Sequence, residues 1–149
     1  MDRIDTELIT ALRAEARASY AELGRRVGLS GPSVQDRVRR LEESGTLRGY
    51  HASVDPVAVG LDVTALVGIY LSDNAVQDDV AGRLADVDAI EDCWSVAGDE
   101  AFMIKVRVGD VVALEVTLGR LRRIRGIART RTTVVLSTRW EGRAAPLPA

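Results

Sequence analysis

Apolar residues at the start of the chain recur at helical spacing. Ile4, Leu8 and Leu12 lie four residues apart, with Ile9 beside them, and Asp2 occupies a helix-capping position. Side chains spaced by three or four residues share one face of a helix. The pattern therefore predicts a first helix with a single apolar stripe facing a core.

A short second helix and a tight turn follow. Ser19 and Glu22 have the spacing of a capping box, in which each side chain satisfies a free backbone N–H group. Leu23 and Val27 then point inward. The run Gly28-Leu29-Ser30 supplies a glycine for positive φ, an apolar plug and a serine that can cap the next helix. This order is typical of a helix-turn-helix.

A third helix is predicted from the first-turn residue Pro32 to about Ser44. At roughly 100° per residue, Val34, Val38 and Leu41 fall on one side. The opposite side carries amide, hydroxyl and guanidinium groups, which bind base edges and phosphates. We predict DNA contacts for Ser30, Gly31, Pro32, Ser33, Gln35, Asp36, Arg39 and Arg40.

An ordinary solvated helix is the alternative for these charges. Asp36–Arg40 and Arg39–Glu43 have the spacing of surface ion pairs. Arg37 lies beside the buried stripe, so we assign it to a structural ion pair rather than to base reading.

Between Thr46 and Val54 the pattern changes to a period of two, which predicts a short strand pair, or wing. We interpret His51 within it as a surface or hinge residue rather than as a pH switch or a ligand. Asp55-Pro56 then breaks the pattern. The expected boundaries are a winged helix-turn-helix DNA-binding domain over residues 1–52 and a linker over 53–61.

The second half alternates strands and helices. Strand patterns cover residues 62–71, 90–96, 102–108 and 128–140. One helix is indicated by Val76, Val80, Leu84 and Val87. A second helix, capped by Asp110, is indicated by Leu114, Leu118 and Leu121. The order βαββαβ is ferredoxin-like. The predicted fold is α+β, with an N-terminal winged helix-turn-helix, a C-terminal βαββαβ effector-binding and oligomerisation domain over 62–140, and a tail over 141–149.

The uncovered face of the predicted sheet suggests self-association. Two helices cover only one face of four strands, and Leu66, Tyr70, Cys93 and Met103 make the other face partly apolar. We therefore expect a homodimer through the sheets. A dimer also predicts a pseudo-palindromic DNA site with half-sites about 34 Å, or a multiple of that, apart.

Composition excludes several classes of protein. The chain has 149 residues and a formal net charge of −2. No apolar run approaches the roughly 20 residues that span a bilayer, and no signal peptide is expected. We therefore predict a cytoplasmic protein without a membrane partner. One histidine and the lone Cys93, expected to be a buried inert thiol, cannot form a zinc cluster. We expect no catalytic residue, metal or cofactor.

Several spaced motifs carry a family resemblance over nearly the whole chain apart from the tail after Trp140. They are Ile4-Asp5 through Leu12, Glu22-Leu23, Gly28-Leu29-Ser30, Arg37-Val38-x-Arg40-Leu41-Glu42-x-x-Gly45 and Gly49-Tyr50. In this order they resemble the Lrp/AsnC family, the feast/famine regulators. The resemblance implies a sequence-specific DNA-binding transcription regulator, dimers that assemble into higher oligomers, and an amino-acid effector.

The resemblance also implies an effector site in the loop between the second and third strands. Its candidates are Gly98, Asp99, Glu100 and Ala101. Family members commonly carry an acidic residue where this chain has Ala101, so Asp99 or Glu100 would have to replace the usual contact to the effector's amino group. A plain hairpin turn would have the same sequence.

Two other hypotheses remain at this stage. The siroheme decarboxylases resemble this family in both halves, and His51 or Arg48 would then lie near a tetrapyrrole. An effector-binding or architectural protein without DNA specificity is the other. The basic run Arg120, Arg122, Arg123 and Arg125 is interpreted as complementing a helix dipole rather than as a second nucleic-acid site.

Overall fold

The computed structural model describes residues 1–147 and contains two compact units. One comprises Met1–Ser53 with the C-terminal segment that begins at Trp140, and the other comprises Val54–Arg139. The last two positions of the predicted tail, Pro148 and Ala149, lie outside the described residues. Within residues 1–147, no helix combines the length and apolar character that a bilayer crossing requires.

The N-terminal unit is built from three helices, each with a side-chain cap. They are α1 (Arg3–Ala14), α2 (Tyr20–Val27) and α3 (Gly31–Glu43), capped by Asp2, Ser19 and Ser30. The predicted capping box of α2 is present, since Glu22 N donates to Ser19 Oγ at 3.2 Å and Ser19 N to Glu22 Oε2 at 2.7 Å. The buried core comprises Leu8, Ala11, Leu12, Leu23, Val34 and Val38.

The turn between α2 and α3 depends on two glycines. Gly28 ends α2 in the left-handed region with φ of 72°, as predicted. The sequence did not predict a role for Gly24 in the turn. A Cβ at this position would lie 2.4 Å from the Leu29 carbonyl oxygen. Leu29 N also donates to Gly24 O at 2.9 Å. The turn therefore packs directly on the backbone of α2, which fixes the position from which α3 begins.

The C-terminal unit confirms the predicted βαββαβ order. After a short 3₁₀ helix (Val57–Val59) come β1 (Val63–Leu71), α4 (Gln77–Ala85), β2 (Ile90–Ser95), β3 (Phe102–Val108), α5 (Val111–Arg122) and β4 (Ile127–Val135). The strands form one antiparallel sheet in the order β2-β3-β1-β4. Alternate residues of β1 and β3 pack with both helices in one core that includes Val67, Ile69, Leu84, Ile104, Val106 and Leu121.

The structure corrects two predicted strands, one of which is absent and one of which is shorter than predicted. The segment after α3 contains no strand, because Leu47 N bonds back to Leu41 O at 2.9 Å and Leu47 packs against the helical core. The last strand ends at Val135 rather than near Trp140. Its partner β1 begins at Val63, and Thr64 faces Val135, so β1 provides no further pairing beyond that point.

Two predicted burials are also wrong. Cys93 is exposed on the edge strand β2, and it lies opposite the core residue Ile104 and not on the uncovered face of the sheet. Val76 was placed on the inner face of α4, but it precedes the helix as its N-cap and is 60% exposed. Only Val80 and Leu84 of that helix are buried.

Candidate nucleic-acid interface and effector loop

The third helix exposes the face that the sequence predicted. Val34 and Val38 are completely buried and Leu41 nearly so. The side chains assigned to DNA contact on the opposite side are exposed, namely Pro32, Ser33, Gln35, Asp36, Arg39 and Arg40. The predicted helical phase is therefore confirmed, and this row of polar side chains, which we call the α3 polar face, is open to a ligand.

Hydroxyl groups organise the first turn of α3. Ser30 caps the helix by accepting a bond from Ser33 N at 3.3 Å, and the Ser30 and Ser33 Oγ atoms lie 2.8 Å apart. Gly31 is half-buried at the first helical position. Free N–H groups and a positive dipole end at a helix N-terminus favour a nearby phosphate.

Ion pairs run along the α3 polar face. The Arg39 guanidinium bonds to Asp36 and also to Glu43 Oε1, which is 3.1 Å away. Arg40 Nε lies 3.7 Å from Asp36 Oδ2. The hydrogen bond from Arg39 lowers the pKa of Asp36. Exposed pairs of this kind contribute little to stability, so a phosphate or a base edge can displace the carboxylates.

Arg37 has the structural role that its position beside the buried stripe indicated. One of its guanidinium nitrogens lies 2.7 Å from both Asp2 Oδ2 and Asp5 Oδ1. Both carboxylates belong to the first turn of α1 and its cap, so the contact ties α3 to α1. The two hydrogen bonds raise the pKa of Arg37, with Asp2 the larger cause.

The segment after α3 is attached to the helix by a tyrosine that sequence reasoning placed in a strand. Tyr50 Oη donates to Glu42 Oε1 at 2.8 Å. Burial, followed by this contact with a carboxylate, raises the pKa of Tyr50 to about 12. Tyr20 and Glu42 line both of two shallow grooves beside α3, of about 380 and 370 Å³. His51 in the same segment is exposed.

The predicted effector loop closes the β2–β3 hairpin. Val96 N donates to Ala101 O at 3.2 Å, and Ala101 N donates to Ile69 O at 2.9 Å. Gly98 has φ of 153°, a conformation that favours glycine. Asp99 is exposed, whereas the Ala101 side chain packs against the core of the sheet. The loop is thus a hairpin connection, and Glu100 is its acidic side chain with defined contacts.

Glu100 lies over the uncovered face of the sheet. Its Oε1 accepts bonds from Tyr70 Oη at 2.8 Å and from Arg131 at 2.6 Å, and its side chain is only 14% exposed. A Cβ at Gly68 would lie 2.8 Å from Glu100 Cγ, so glycine makes room for the carboxylate. The bond from Tyr70 is the largest cause that lowers the pKa of Glu100.

The partners of Glu100 come from strands that are distant in sequence. Arg131 faces Gly68 across the β1–β4 pair, and Arg129 faces Tyr70. The Arg129 guanidinium lies 3.6 Å from the centre of the Tyr70 ring, within the range of a cation–π contact. Sequence reasoning missed both arginines because the register of β1 against β4 joins residues about sixty positions apart.

The rest of the uncovered face mixes apolar and charged side chains. Leu66 and Trp94 are 37% and 47% exposed. Lys105 Nζ lies 2.6 Å from Glu91 and 3.2 Å from Asp92, which places an ion cluster beside the apolar residues. The face is therefore less apolar than the strand patterns indicated.

Comparison with known proteins matches each half of the chain to a known domain family. Residues 1–42 match the AsnC-type helix-turn-helix domain, and residues 64–145 match the Lrp/AsnC ligand binding domain. The chain is 43% identical over 143 residues to the HTH-type transcriptional regulator LrpA of Mycobacterium tuberculosis, covering 96% of this chain and 95% of the relative. It is 37% identical over 141 residues to the leucine-responsive regulatory protein of Escherichia coli, covering 91% and 85%.

Solved structures are similar to this chain over nearly its whole length. The feast or famine regulatory protein of M. tuberculosis complexed with L-methionine has a TM-score of 0.92 at 42% identity, with 98% of this chain and 99% of that chain covered. E. coli AsnC has a TM-score of 0.90 at 27% identity, with 99% of each chain covered. The relative named as a transcriptional regulator and the match to the AsnC-type helix-turn-helix domain confirm the expectation of a regulator rather than an enzyme. This chain belongs to the Lrp/AsnC family.

Proposed function

We propose that the protein is a sequence-specific DNA-binding transcription regulator that responds to an amino acid. The observation that carries the proposal is the α3 polar face, whose side chains are exposed on a helix whose opposite side is buried. A short helix and a glycine turn precede α3, as in domains that place a helix in the major groove. A regulator of transcription acts on chromosomal DNA, so its place is the cytoplasm.

The side chains of the α3 polar face suit two kinds of contact. Ser33 and Gln35 lie near the N-terminus of α3, where recognition helices meet base edges, and Gln can bond adenine through both its amide groups. Arg39 and Arg40 lie one turn further along and supply cations for phosphate or guanine. Ser30, Gly31 and Pro32 form the entrance to the helix, and Asp36 orients both arginines.

The effector site is proposed at the loop of Gly98 to Ala101. Glu100 binds the ammonium group of the amino acid, since its carboxylate is ionised and held by Tyr70 and Arg131. Gly98 and Asp99 supply loop backbone and an exposed second carboxylate, and Ala101 fixes the loop to the sheet. Glu100 thereby replaces the acidic residue that family members commonly carry at the position of Ala101. The complex of a relative with L-methionine supports an amino acid as ligand.

Self-association is proposed through the uncovered face of the sheet, giving a homodimer that assembles further. Leu66 and Trp94 supply apolar area, and the neighbouring ion cluster supplies specificity of pairing. A dimer presents two α3 polar faces to two half-sites of one operator.

The test is a selection of bound fragments from the source genome, with and without a panel of amino acids. We expect a pseudo-palindromic motif whose occupancy changes with at least one amino acid. Enrichment without any common motif would favour an architectural protein that lacks sequence specificity. A visible absorption band from a bound tetrapyrrole in the purified protein, with no DNA enrichment, would contradict the regulator.

A further inference from the structure

A second cleft lies on the helix-covered side of the C-terminal unit. It is bounded by the turn after β1, the first half of α4 and the turn between α5 and β4, and its volume of about 290 Å³ is near the lower end for small-ligand pockets. We call it the α4 cleft. Its polar walls carry Ser72, Asn74, Asp79, Arg83 and Arg125, and its apolar wall carries Ala75, Val76 and Val80.

Backbone contacts fix the shape of the α4 cleft. Ser72 N donates to Gly126 O at 3.0 Å, and an Arg83 guanidinium nitrogen donates to Arg125 O at 2.8 Å. Gly126 has φ of 98°, and a Cβ there would lie 2.7 Å from Val80 Cγ2. Contacts within the chain therefore pack the two turns and the helix against each other, and these contacts set the shape of the cleft.

Opposite charges in this cleft are kept apart. Asp79 and Arg83 are one turn apart on α4, a spacing at which such residues commonly pair. Arg83 instead bonds to the backbone of the opposite wall. Within residues 1–147, the Asp79 carboxylate and the Arg125 guanidinium form no hydrogen bond or ion pair.

Arg125 also differs from the rest of the basic run at the end of α5. Arg120 bonds to Asp86 O at 2.8 Å and Arg122 to Leu118 O at 3.2 Å, so both satisfy backbone carbonyls. Such contacts fit the expected role of cations near a helix C-terminus. Arg125 lies beyond the end of the helix and lines the cleft. A favourable interaction with the dipole of α5 therefore does not account for the position of Arg125.

We propose that the α4 cleft binds a free α-amino acid at a site separate from the Glu100 loop. Arg125, with Arg83 beside it, receives the carboxylate, and guanidinium groups bind carboxylates through paired hydrogen bonds. Asp79 receives the ammonium group, and Ala75 and Val76 contact an apolar side chain. A simple anion fits less well because Asp79 repels it. This site does not depend on the effector site proposed above.

The test follows the methyl resonances of Val76 and Val80 while single amino acids are added to the full-length protein. Each is added at about 10 mM, which fills most of a site with a Kd of about 1 mM. We expect at least one amino acid to shift these resonances. Arg125→Met and Asp79→Asn should each weaken that binding about tenfold or more, since each removes a charged hydrogen bond. Arg123→Met, which changes a neighbouring arginine outside the cleft, should bind as the native protein does.

Glu100→Gln separates the two sites. It should leave the shifts of Val76 and Val80 unchanged, even if it abolishes binding at the loop. The proposal is overturned if no amino acid shifts these resonances, if Arg125→Met binds normally, or if acetate shifts them as strongly as the amino acid. Loss of the shifts in Glu100→Gln would also overturn it, because the resonances would then report the loop.

Discussion

At the scale of single residues, the two candidate sites differ in how their charges are held. Glu100 is largely shielded and receives two hydrogen bonds, so its position is set before any ligand arrives. Arg39 and Arg40 bond to carboxylates on their own helix and are well exposed. A preorganised carboxylate suits a small ligand in a fixed geometry, whereas exchangeable surface pairs suit a long polyanion that can displace them.

Arg40→Ala is expected to weaken DNA binding and leave the fold unchanged. If Arg40 contacts a phosphate, its loss should also reduce the slope of log affinity against log salt by about one unit. Binding to an operator fragment is measured over a salt series. Arg3→Ala, which removes an exposed arginine that is paired on α1, is the matched control. Equal affinity for Arg40→Ala and the native protein would exclude Arg40 from the interface.

Glu100→Gln is expected to weaken effector binding by roughly tenfold to a hundredfold, because a neutral amide loses the charge on the bond to an ammonium group. Affinity for DNA without effector should stay near the native value. Calorimetry with an amino-acid panel and operator binding measure the two effects. The control is Asp99→Asn, which removes the exposed carboxylate beside it. If only the Asp99 variant loses the effector, the ammonium group binds there instead.

The Tyr50 phenol is expected to lose its proton at a higher pH than an ordinary tyrosine, and the free energy of unfolding should fall as it does so. Its pKa rises from 10.0 to about 12 in the folded chain, so the protonated phenol stabilises the fold below pH 10.0. That contribution is lost as the pH rises from 10.0 through about 12. Tyr50→Phe should reduce the late rise in tyrosinate absorbance, to which Tyr70 also contributes because its bond to Glu100 raises its pKa. The same change should flatten the fall in unfolding free energy over this range. If Tyr50→Phe instead loses a tyrosine that titrates near 10.0, the burial and the Glu42 bond that raise the pKa of Tyr50 are absent in solution.

At the scale of elements, local patterns predicted what local interactions determine. The caps at Asp2, Ser19 and Ser30 and the buried stripe of α3 follow from bonds within one or two turns, and all were predicted. The end of β4 and the exposure of Cys93 depend on which strand lies alongside, and both predictions were wrong. The same reason explains why Glu100 was found from its loop while Arg131, its partner across the sheet, was missed.

Val38→Asp tests α3 as an element of the helical core. Val38 is completely buried, and an unpaired carboxylate in its place costs several kcal/mol, comparable with the stability of a small domain. The N-terminal helices should unfold, with a loss of helicity and of DNA binding. Val116→Asp makes the same change at a residue of α5 that is 68% exposed and should be tolerated. Undiminished helicity and a native melt in Val38→Asp would show that the helix is rotated.

At the scale of the whole molecule, the proposed DNA contacts and the proposed effector loop lie in different units of one chain. Coupling between such sites is typically about 1–3 kcal/mol, enough to change operator occupancy without abolishing it. Self-association offers a route for it, because the Glu100 cluster belongs to the same uncovered sheet face as Leu66. A ligand at the loop would thus contact the surface through which copies of the chain are proposed to pair.

Leu66→Lys is the corresponding test. Leu66 faces Lys105 on one side and Thr133 on the other, so a lysine there adds a second cation to the proposed interface and removes apolar area. The dissociation constant of the dimer, measured by sedimentation, should rise about tenfold or more, since unpaired charge buried in an interface costs several kcal/mol. Affinity for a full operator should fall while affinity for an isolated half-site stays near the native value, because each α3 polar face is unchanged. Val112→Lys places the same charge on the outer side of α5, where Val112 is 68% exposed, and controls for net charge. If Val112→Lys separates the subunits and Leu66→Lys does not, the chains associate through their helices and the uncovered sheet face has another partner.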